Sequence, residues 1–474
     1  MPEKTSQRST WPPFRPQLIL FSVLAAKIYE HELSHGSANA HALVYYHAML
    51  TFALAVAVLF WINRSMPIFL LNFTCYKAPD SYRMPISNFA EHAYLDKRLT
   101  AESSSFLVKI MENSGFSDET SISLPQGVIP IENKWAGAME ECQTVVFSVV
   151  ANLLRKCRIK PKNIDILVTH SSMFSPVPSI TAMIVNKFEM RSNVMSYNLS
   201  GMGCSAGIIA VDLAKDLLRV HRNSLALVVT TEVLHMNWYT GTNRSMLLAN
   251  CLFRMGGTAM LLSSRDRDKR MAKYELQHIV RTTKAQSNKS YGCVFQDTDM
   301  ENKKGVSISK NILNIAGDAL KTNIATLGPK VLPLDEQFYY LVSLICRKVK
   351  LLRSRGIYMP SFRAAFEHFC IHTGGRSVIK AMKTELKLND EDIEASKMAL
   401  YRFGNTSSSS IWYELSYVEA KGRMKSGDRI WQIAFGSGFK CNSAVWKCLQ
   451  NLSSLEEDNP WMKIIDSYPV DIPD

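Results

Sequence analysis

One cysteine stands in a glycine-rich segment that opens a helical stretch. The segment reads Asn198-Leu-Ser-Gly-Met-Gly-Cys204-Ser-Ala-Gly207, and an apolar helical pattern follows from Ile208 to Val220. Glycines allow a tight turn with backbone angles that other residues avoid. The positive end of a helix stabilises an anion, which lowers the pKa of a thiol toward neutrality. The segment therefore predicts Cys204 as a nucleophile, and it leaves open the alternative of a small core cysteine packed at a turn.

A second segment supplies a partner for such a nucleophile. It reads Glu367-His-Phe-Cys-Ile-His372-Thr-Gly-Gly375 and predicts a short buried strand over residues 367–372, followed by a helix over 376–386. His372 falls at the strand end, where functional side chains of α/β proteins project. We interpret His368 as a satisfied core histidine. A metal site is not predicted, because no second ligand pair stands near the His-x-Cys-x-His pattern.

A third segment carries a side-chain amide. It reads Tyr401-Arg-Phe-Gly-Asn405-Thr-Ser-Ser-Ser-Ser-Ile-Trp. The glycine predicts a turn, and the serines predict an N-cap for a helix that continues beyond Ile411. This arrangement leaves the amide of Asn405 available for hydrogen bonding to a ligand.

Together these segments resemble plant 3-ketoacyl-CoA synthases, the condensing enzymes of the very-long-chain fatty acid elongase. These enzymes belong to the thiolase-fold group that includes chalcone synthases and ketoacyl-ACP synthase III. The resemblance implies an α/β fold of two similar βαβ-rich halves in αβαβα layers, preceded by an N-terminal membrane anchor. It runs from Phe69 to Cys448. Further matching segments are Phe69–Lys77, Ser179–Lys187, Asn250–Gly257, Thr322–Pro329 and Gly436–Ser443.

The resemblance also implies the reaction and the role of each residue. Cys204 accepts a long acyl chain from acyl-CoA as a thioester, while His372 and Asn405 stabilise the enolate that malonyl-CoA forms as it loses CO2. The products are 3-oxoacyl-CoA, CO2 and CoA, so the enzyme is an acyltransferase that needs no cofactor. Backbone N–H groups at Cys204 and in the loop of Gly436, Ser437 and Gly438 form the oxyanion hole.

Three positions depart from the usual family pattern. Tyr401 stands where members usually carry histidine before Arg-Phe-Gly-Asn, Thr283 also replaces a histidine, and Thr373 replaces an alanine. With His368, Tyr401 and Thr283 are candidates for supporting the three catalytic residues through hydrogen bonds. The changes keep an alternative open, a weakly active or inactive paralogue that acts as an interaction subunit of an elongase. A soluble type III polyketide synthase with the same trio is disfavoured by the N-terminal segment described next.

The N-terminus predicts membrane attachment. Residues 42–62 contain no Asp, Glu, Lys or Arg and suffice for one bilayer span. Residues 18–29 form a weaker span, and basic residues flank the pair, which favours a hairpin with both ends in the cytosol. We therefore expect an endoplasmic reticulum membrane protein whose catalytic part faces the cytosol. The predicted domains are an anchor and linker over 1–84 and two thiolase-like halves over 85–270 and 271–474.

Composition agrees with this assignment. The ten cysteines form no CxxC pair, which fits a reducing compartment. The net charge of +13 fits a membrane surface or the phosphates of CoA better than nucleic acid, because Lys and Arg are dispersed. The expected partners are acyl-CoA, malonyl-CoA, the elongase reductases and dehydratase, and a second copy of the chain. The acidic tail from Glu456 to Asp474 is predicted to be loosely held.

Overall fold

The computed structural model describes residues 45–55, 66–123, 127–131, 133–233, 235–348, 358–452 and 458–472. The chain forms two compact units, Met1–Met66 and Pro67–Asp474. In the first unit, residues 45–55 are helical. No helix among the described residues is long and apolar enough to cross a bilayer. The predicted span 18–29 and both ends of the predicted span 42–62 lie outside the described residues, so the anchor stays a prediction.

A nine-stranded mixed sheet forms the frame of the second unit. Its strand order is β3-β2-β4-β5-β1-β6-β11-β10-β9, and β7 and β8 form a separate hairpin. The strands are β1 (Phe69–Cys75), β2 (Ile166–His170), β3 (Met195–Leu199), β4 (Leu225–Glu232), β5 (Gly256–Ser263), β6 (Tyr274–Thr283), β7 (Val294–Thr298), β8 (Lys304–Ile308), β9 (His368–Ile371), β10 (Arg429–Gly436) and β11 (Lys440–Cys448).

One strand pattern occurs twice in the large sheet. In the first series β2 and β4 are parallel, β5 is antiparallel to β4, and β1 is antiparallel to β5. In the second series β9, β10, β11 and β6 repeat these relations, without a counterpart of β3 among the described residues. The two series join where β1 pairs with β6. The two series thus share one pattern of strand pairing.

Helices cover both series and also lie between them. Two long helices, α3 (Trp135–Cys157) and α8 (Ile312–Val331), pack on the outer faces, α3 on β1, β4 and β5 and α8 on β6 and β11. Helices α5 (Ala206–Val220) and α12 (Ser410–Ala420) each contact strands of both series, which gives the αβαβα layering. The helices are α1 (Ile86–Leu95), α2 (Ala101–Glu112), α3 (Trp135–Cys157), α4 (Ile180–Lys187), α5 (Ala206–Val220), α6 (Arg244–Leu252), α7 (Asn288–Tyr291), α8 (Ile312–Val331), α9 (Leu334–Lys348), α10 (Arg376–Leu386), α11 (Glu394–Phe403) and α12 (Ser410–Ala420).

The central helices have the composition that their position requires. All residues of α12 are buried, and most of α5 is buried as well. A helix that is apolar around most of its circumference is stable only when neighbours cover every face. Two buried carboxylates of α12 have partners: Glu414 accepts a hydrogen bond from Ser396 and Glu419 pairs with Lys273. In this middle layer the N-terminal ends of α5 and α12 lie close together.

Two sequence expectations differ from the structure. The predicted linker contains β1, which is buried between β5 and β6, so the sheet begins well before residue 85. The predicted loose tail is packed over residues 458–472. Trp461 is fully buried and its indole N–H donates to the carbonyl of Tyr413 at 2.9 Å. Burial of aromatic rings against α12 outweighs the acidic, proline-containing composition of this segment.

Candidate active site

Cys204 lies in the turn between β3 and α5, as predicted. Gly203 has a φ of +76°, and a Cβ atom there would lie 2.3 Å from the backbone nitrogen of Ser437. At Gly207 a Cβ atom would lie 2.5 Å from the carbonyl oxygen of Ser408. Only glycine permits both the backbone angle and these close approaches. The turn thus brings Cys204, the predicted nucleophile, beside two segments of the second series.

The pKa of the Cys204 thiol is opposite to the prediction. Burial raises it to about 11, a hydrogen bond with Ser407 lowers it, and the charge of Glu232 raises it further. The predicted lowering by the start of α5 was wrong, because the loss of solvent around the sulfur outweighs the stabilisation of an anion there. Cys204 therefore rests as a thiol and needs a base to become a nucleophile.

His372 follows β9 directly and is buried. Its backbone N–H donates to the carbonyl of Ile433 at 2.9 Å, which extends the β9–β10 ladder and fixes the ring at the strand end. Its Nδ1 lies 2.7 Å from the hydroxyl of Ser410. Burial lowers the pKa of His372 to about 4, so the imidazole is neutral at pH 7. Nε2 has no hydrogen-bond partner among the described residues.

A turn of four serines, Ser407 to Ser410, hydrogen-bonds to two of the three predicted catalytic residues, His372 and Asn405, and packs against Gly207 in the segment that follows Cys204. The Oδ1 atom of Asn405 accepts the N–H of Ser407 at 2.9 Å, so the amide NH2 is oriented away from the turn. The hydroxyl of Ser410 donates to the carbonyl of Ser407 at 2.9 Å. Ser407 has a φ of +55°, a strained conformation that often marks functional sites.

The serines do not act as the predicted N-cap. Ser409 occupies the N-cap position of α12, but its side chain makes no cap hydrogen bond. Its hydroxyl instead bonds to Thr230 of β4, and that of Ser408 bonds to His170. The serine side chains therefore link the two series, a role that only distant contacts reveal.

Glu232 is a site residue that the sequence analysis missed. It ends β4 and is buried, and burial raises the pKa of its carboxyl group. The carboxylate accepts the hydroxyl of Ser171 at 3.0 Å and the N–H groups of Ser172 and Met173 at 3.0 and 2.8 Å. The Ser407 hydroxyl donates at 3.3 Å to Oε2, the oxygen that also accepts the N–H of Ser172. Glu232 thus holds the residues after β2 beside the serine turn.

His170 is a second missed residue and ends β2. Its Nδ1 lies 3.0 Å from the Ser408 hydroxyl and its Nε2 lies 3.1 Å from that of Ser172. The Ser172 oxygen also accepts the N–H of Gly203 at 2.8 Å, directly before the nucleophile. Burial lowers the pKa of His170 to about 3. A polar residue at the last position of a buried strand is the signal that would have found both His170 and Glu232.

The predicted oxyanion loop lies beside Cys204. A Cβ atom at Gly436 would lie 3.2 Å from the backbone nitrogen of Cys204. The loop is held from its other side, because the ammonium group of Lys440 donates to the carbonyl of Ser437 at 2.8 Å. Gly436 and Ser437 therefore lie against the turn of Cys204, and the role of this loop in an oxyanion hole stays a prediction.

The three predicted supporting residues lie elsewhere. His368 begins β9, at the opposite end from His372, and pairs with Asp428 at 3.0 Å. Tyr401 packs edge-on against Tyr468, with ring centroids 6.4 Å apart. Thr283 is exposed at the end of β6. None of the three hydrogen bonds with Cys204, His372 or Asn405 in the described structure.

Comparisons with known proteins place this site in a family context. Residues 60–349 match the family model described as FAE1/Type III polyketide synthase-like protein. Residues 363–448 match that of the 3-oxoacyl-[acyl-carrier-protein] synthase III C terminal. The chain is 55% identical to probable 3-ketoacyl-CoA synthase 21 of Arabidopsis thaliana, over 87% of this chain and 89% of that protein. It is 48% identical to 3-ketoacyl-CoA synthase 4 of the same plant, over 96% of this chain and 88% of that protein.

Solved structures agree on the fold. A type III pentaketide synthase from Neurospora crassa superposes with a TM-score of 0.62 at 18% identity, over 80% of this chain and 99% of that chain. PKS-I from the brown alga Ectocarpus siliculosus gives a TM-score of 0.64 at 16% identity, over 82% and 100%. The predicted thiolase-like α/β fold is thereby confirmed for the second unit.

Proposed function

The chain belongs to the 3-ketoacyl-CoA synthase family and is a condensing acyltransferase, and from this premise we propose how its own residues carry out the reaction. It joins a long-chain acyl-CoA to malonyl-CoA for very-long-chain fatty acid synthesis, releasing CO2 and CoA and giving 3-oxoacyl-CoA. One observation carries the proposal: His372 and Asn405 both bond to the turn of Ser407 to Ser410, and the segment after Cys204 packs against the same turn, since a Cβ atom at Gly207 would lie 2.5 Å from the carbonyl oxygen of Ser408.

In the first step Cys204 takes the acyl chain. Because burial raises the pKa of the thiol, it needs a base, and Nε2 of neutral His372 is the nitrogen without a partner among the described residues. The sulfur attacks the acyl-CoA carbonyl as Nε2 accepts the thiol proton. N–H groups of Cys204 and of the Gly436–Gly438 loop stabilise the oxyanion. The C–S bond to CoA then breaks, and His372 returns the proton to the leaving thiolate.

In the second step malonyl-CoA supplies the new carbon atoms. The bond to its carboxylate breaks, CO2 leaves, and the electron pair forms an enolate whose charge lies on the thioester oxygen. N–H groups of His372 and Asn405 donate to that oxygen, and each such donor contributes on the order of 100 to 1,000-fold in rate. The enolate carbon attacks the acyl carbonyl, the bond to Cys204 breaks, and the released thiolate takes one proton from solvent, which the overall reaction consumes.

Ser410 suits both steps because one hydroxyl serves two forms of His372. When it donates to the carbonyl of Ser407, it accepts from Nδ1–H, and Nε2 has the lone pair that the first step requires. When its hydrogen turns toward Nδ1, Nε2 carries the hydrogen that the second step requires. Ser410 is therefore a positioning residue for the histidine.

Expression in yeast tests the catalytic proposal. Wild-type protein should yield new fatty acids of increased chain length by gas chromatography, and Cys204→Ala should yield none while reaching the same level in the membrane fraction. The alanine methyl group cannot carry a thioester and removes little volume. Elongation by Cys204→Ala above that of the empty vector would refute Cys204 as the nucleophile. Absence of elongation by both proteins would favour the alternative, an inactive interaction subunit. The structure gives no support to that alternative, because neither Thr283 nor Tyr401 hydrogen-bonds with Cys204, His372 or Asn405 in the part of the chain that it describes.

The same proposal includes the endoplasmic reticulum membrane, with the catalytic unit in the cytosol. Support comes from the helical residues 45–55, whose apolar side chains are exposed. Deletion of residues 1–64 should remove the chain from the carbonate-resistant membrane fraction, since the apolar segment is lost. A truncated chain that still resists carbonate would place an integral segment elsewhere.

Partners and cofactors complete the proposal. A homodimer is supported by β3, an edge strand whose Ser196 and Tyr197 are exposed and whose outer hydrogen-bonding groups can pair with a second copy. Light scattering should show a dimer, and Ser196→Pro should weaken it. The elongase reductases and dehydratase would then take the 3-oxoacyl-CoA product. No cofactor is proposed, so activity should survive dialysis against a metal chelator.

A further inference from the structure

Helix α9 turns polar side chains toward the protein and exposes its apolar face, the opposite of the usual arrangement in a soluble domain. The side chains that turn toward the protein are hydrophilic: Glu336 accepts hydrogen bonds from the hydroxyl of Tyr358 and the N–H of Ser361, both at 2.9 Å. Gln337 donates to the carbonyl of Leu332 at 2.8 Å, and Ser343 accepts the N–H of Tyr358 at 3.2 Å. Hydrogen bonds therefore attach the helix to Leu332 before it and to residues 358–361 after it.

The opposite face of α9 is an exposed apolar stripe. Leu334, Phe338, Leu341 and Ile345 follow the i, i+4, i+7, i+11 spacing and are 82, 62, 54 and 53% exposed. This spacing normally marks the face that a helix buries in the core. Large apolar stripes on a protein surface indicate a binding face. Something other than water must therefore cover this stripe in the working protein.

A lipid bilayer fits the stripe better than a protein groove does. Tyr339, Tyr340 and Tyr358 flank the stripe, and tyrosine is enriched at the headgroup level of membranes. Arg347 is exposed at the end of the helix, and the chain carries a net charge of +13, which attracts anionic headgroups. The stripe spans about 16 Å at the helical rise, too short to cross a bilayer. It suits a helix that lies in the interface plane.

We propose that α9 is a second membrane contact of this chain, with Leu334, Phe338, Leu341 and Ile345 inserted among the lipids of the bilayer surface. The contact would hold the catalytic unit itself against the membrane in which long acyl chains dissolve. It is independent of the chemistry at Cys204 and goes beyond the proposed N-terminal anchor.

Site-specific photocrosslinking in the full-length chain tests this contact. p-Benzoylphenylalanine replaces Phe338 in protein expressed in yeast microsomes, and irradiated protein is digested and analysed by mass spectrometry for phospholipid adducts. Tyr291, also aromatic and 53% exposed, is the matched control on another part of the catalytic unit. Phe52, in the predicted span, is the positive control. All three positions are exposed, so each replacement should leave the fold intact.

The expected result is a phospholipid adduct at position 338, several-fold more abundant than at 291 and comparable with that at 52. An adduct at 338 to another copy of the chain, or to residues 1–66 of the same chain, would assign the stripe to a protein contact and overturn the proposal. Lipid adducts at 52 but not at 338 would overturn it while leaving the N-terminal anchor intact. Absence of lipid adducts at both positions would overturn the proposal and the membrane location together.

Discussion

Two histidines occupy corresponding places in the two strand series and differ in whether the ring nitrogen Nε2 has a hydrogen-bond partner. His170 ends β2 and His372 follows β9, which is the counterpart of β2. Both rings are buried, both have lowered pKa values, and each places Nδ1 against the serine turn, at Ser408 and Ser410. The hydroxyl of Ser172 occupies Nε2 of His170, whereas Nε2 of His372 has no partner among the described residues.

The difference teaches how a duplicated fold separates structure from chemistry. A buried imidazole with both nitrogens bonded stabilises its surroundings and has nothing left to exchange. A buried imidazole with one unbonded nitrogen can accept or donate a proton to a bound substrate. In the proposed mechanism the first series provides the nucleophile and a structural histidine, and the second provides the reactive histidine and the amide of Asn405.

Replacing each histidine by alanine gives the largest predicted contrast. His372→Ala should slow release of CO2 from malonyl-CoA by about 100 to 1,000-fold, because it removes a donor to the enolate oxygen. His170→Ala should slow it by less than about tenfold, which corresponds to 1.4 kcal/mol of barrier. Carboxyl-labelled malonyl-CoA measures this half-reaction, and radiolabelled acyl-CoA measures acylation of Cys204 separately.

Acylation serves as the internal reference for His372→Ala. It should fall as well, since His372 is the proposed base for the Cys204 thiol. Alkaline pH should restore acylation but not decarboxylation, because hydroxide can ionise the thiol while the donor to the enolate oxygen stays absent. Losses that alkaline pH restores in neither half-reaction would indicate a collapsed site, and a larger loss for His170→Ala than for His372→Ala would reverse the comparison.

Asn405 extends the contrast from the histidine to the amide. Asn405→Ala should also slow decarboxylation by about 100 to 1,000-fold, because it removes the second donor to the enolate. Asn405→Asp is the matched variant: its carboxylate can still accept the N–H of Ser407, as Oδ1 does in the wild type, but it offers no donor. Both variants should lose CO2 release equally within experimental error. Near-normal release by Asn405→Asp would show that the residue acts only by fixing the turn.

The two serines bonded to Nδ1 give a smaller contrast. Ser410→Ala should slow decarboxylation by about tenfold, because His372 loses the hydrogen bond that orients its ring. Loss of that bond costs roughly 1.5 kcal/mol. Ser408→Ala should change it by less than about threefold, since its partner His170 takes no part in the reaction. Ser410→Thr, which keeps a hydroxyl, should recover most of the lost rate. Failure of that recovery would indicate that packing, and not the hydroxyl, matters at this position.

Both buried histidines should make the free energy of unfolding depend on pH, below neutral pH only. Their pKa values fall from 6.5 to about 3 for His170 and about 4 for His372. The unfolded chain therefore binds more protons than the folded chain below pH 6.5. The contribution of the two neutral histidines to the free energy of unfolding is present above that pH and is lost as the pH falls. The loss between pH 6.5 and 5 is about 2 kcal/mol for each histidine.

Urea unfolding of the wild type and His170→Asn at pH 7 and pH 5 measures this effect. The asparagine variant should lose about 2 kcal/mol less than the wild type between the two pH values, since one titrating group is gone. An identical loss in both proteins would mean that His170 is not neutral in the folded state.

Local sequence predicted the elements that form the site. The helix predicted over residues 376–386 is α10, and the strand predicted over 367–372 contains β9. Cys204, His372 and Asn405 were identified from turns and motifs whose glycines and polar residues are contiguous in the chain. These features follow from backbone angles and side-chain spacing over a few residues, which the sequence states directly.

Distant packing decided the rest. The raised pKa of Cys204 depends on the segments of the chain that pack around it. Which serine hydroxyls face His372 decides that, among the described residues, its Nδ1 is hydrogen-bonded and its Nε2 is not. The docked Trp461 and the reversed faces of α9 also depend on elements far away in sequence. The sequence therefore determined which chemical groups the site contains, whereas the tertiary structure alone decided their protonation and their partners. Both of these are set by desolvation and contacts between residues hundreds of positions apart.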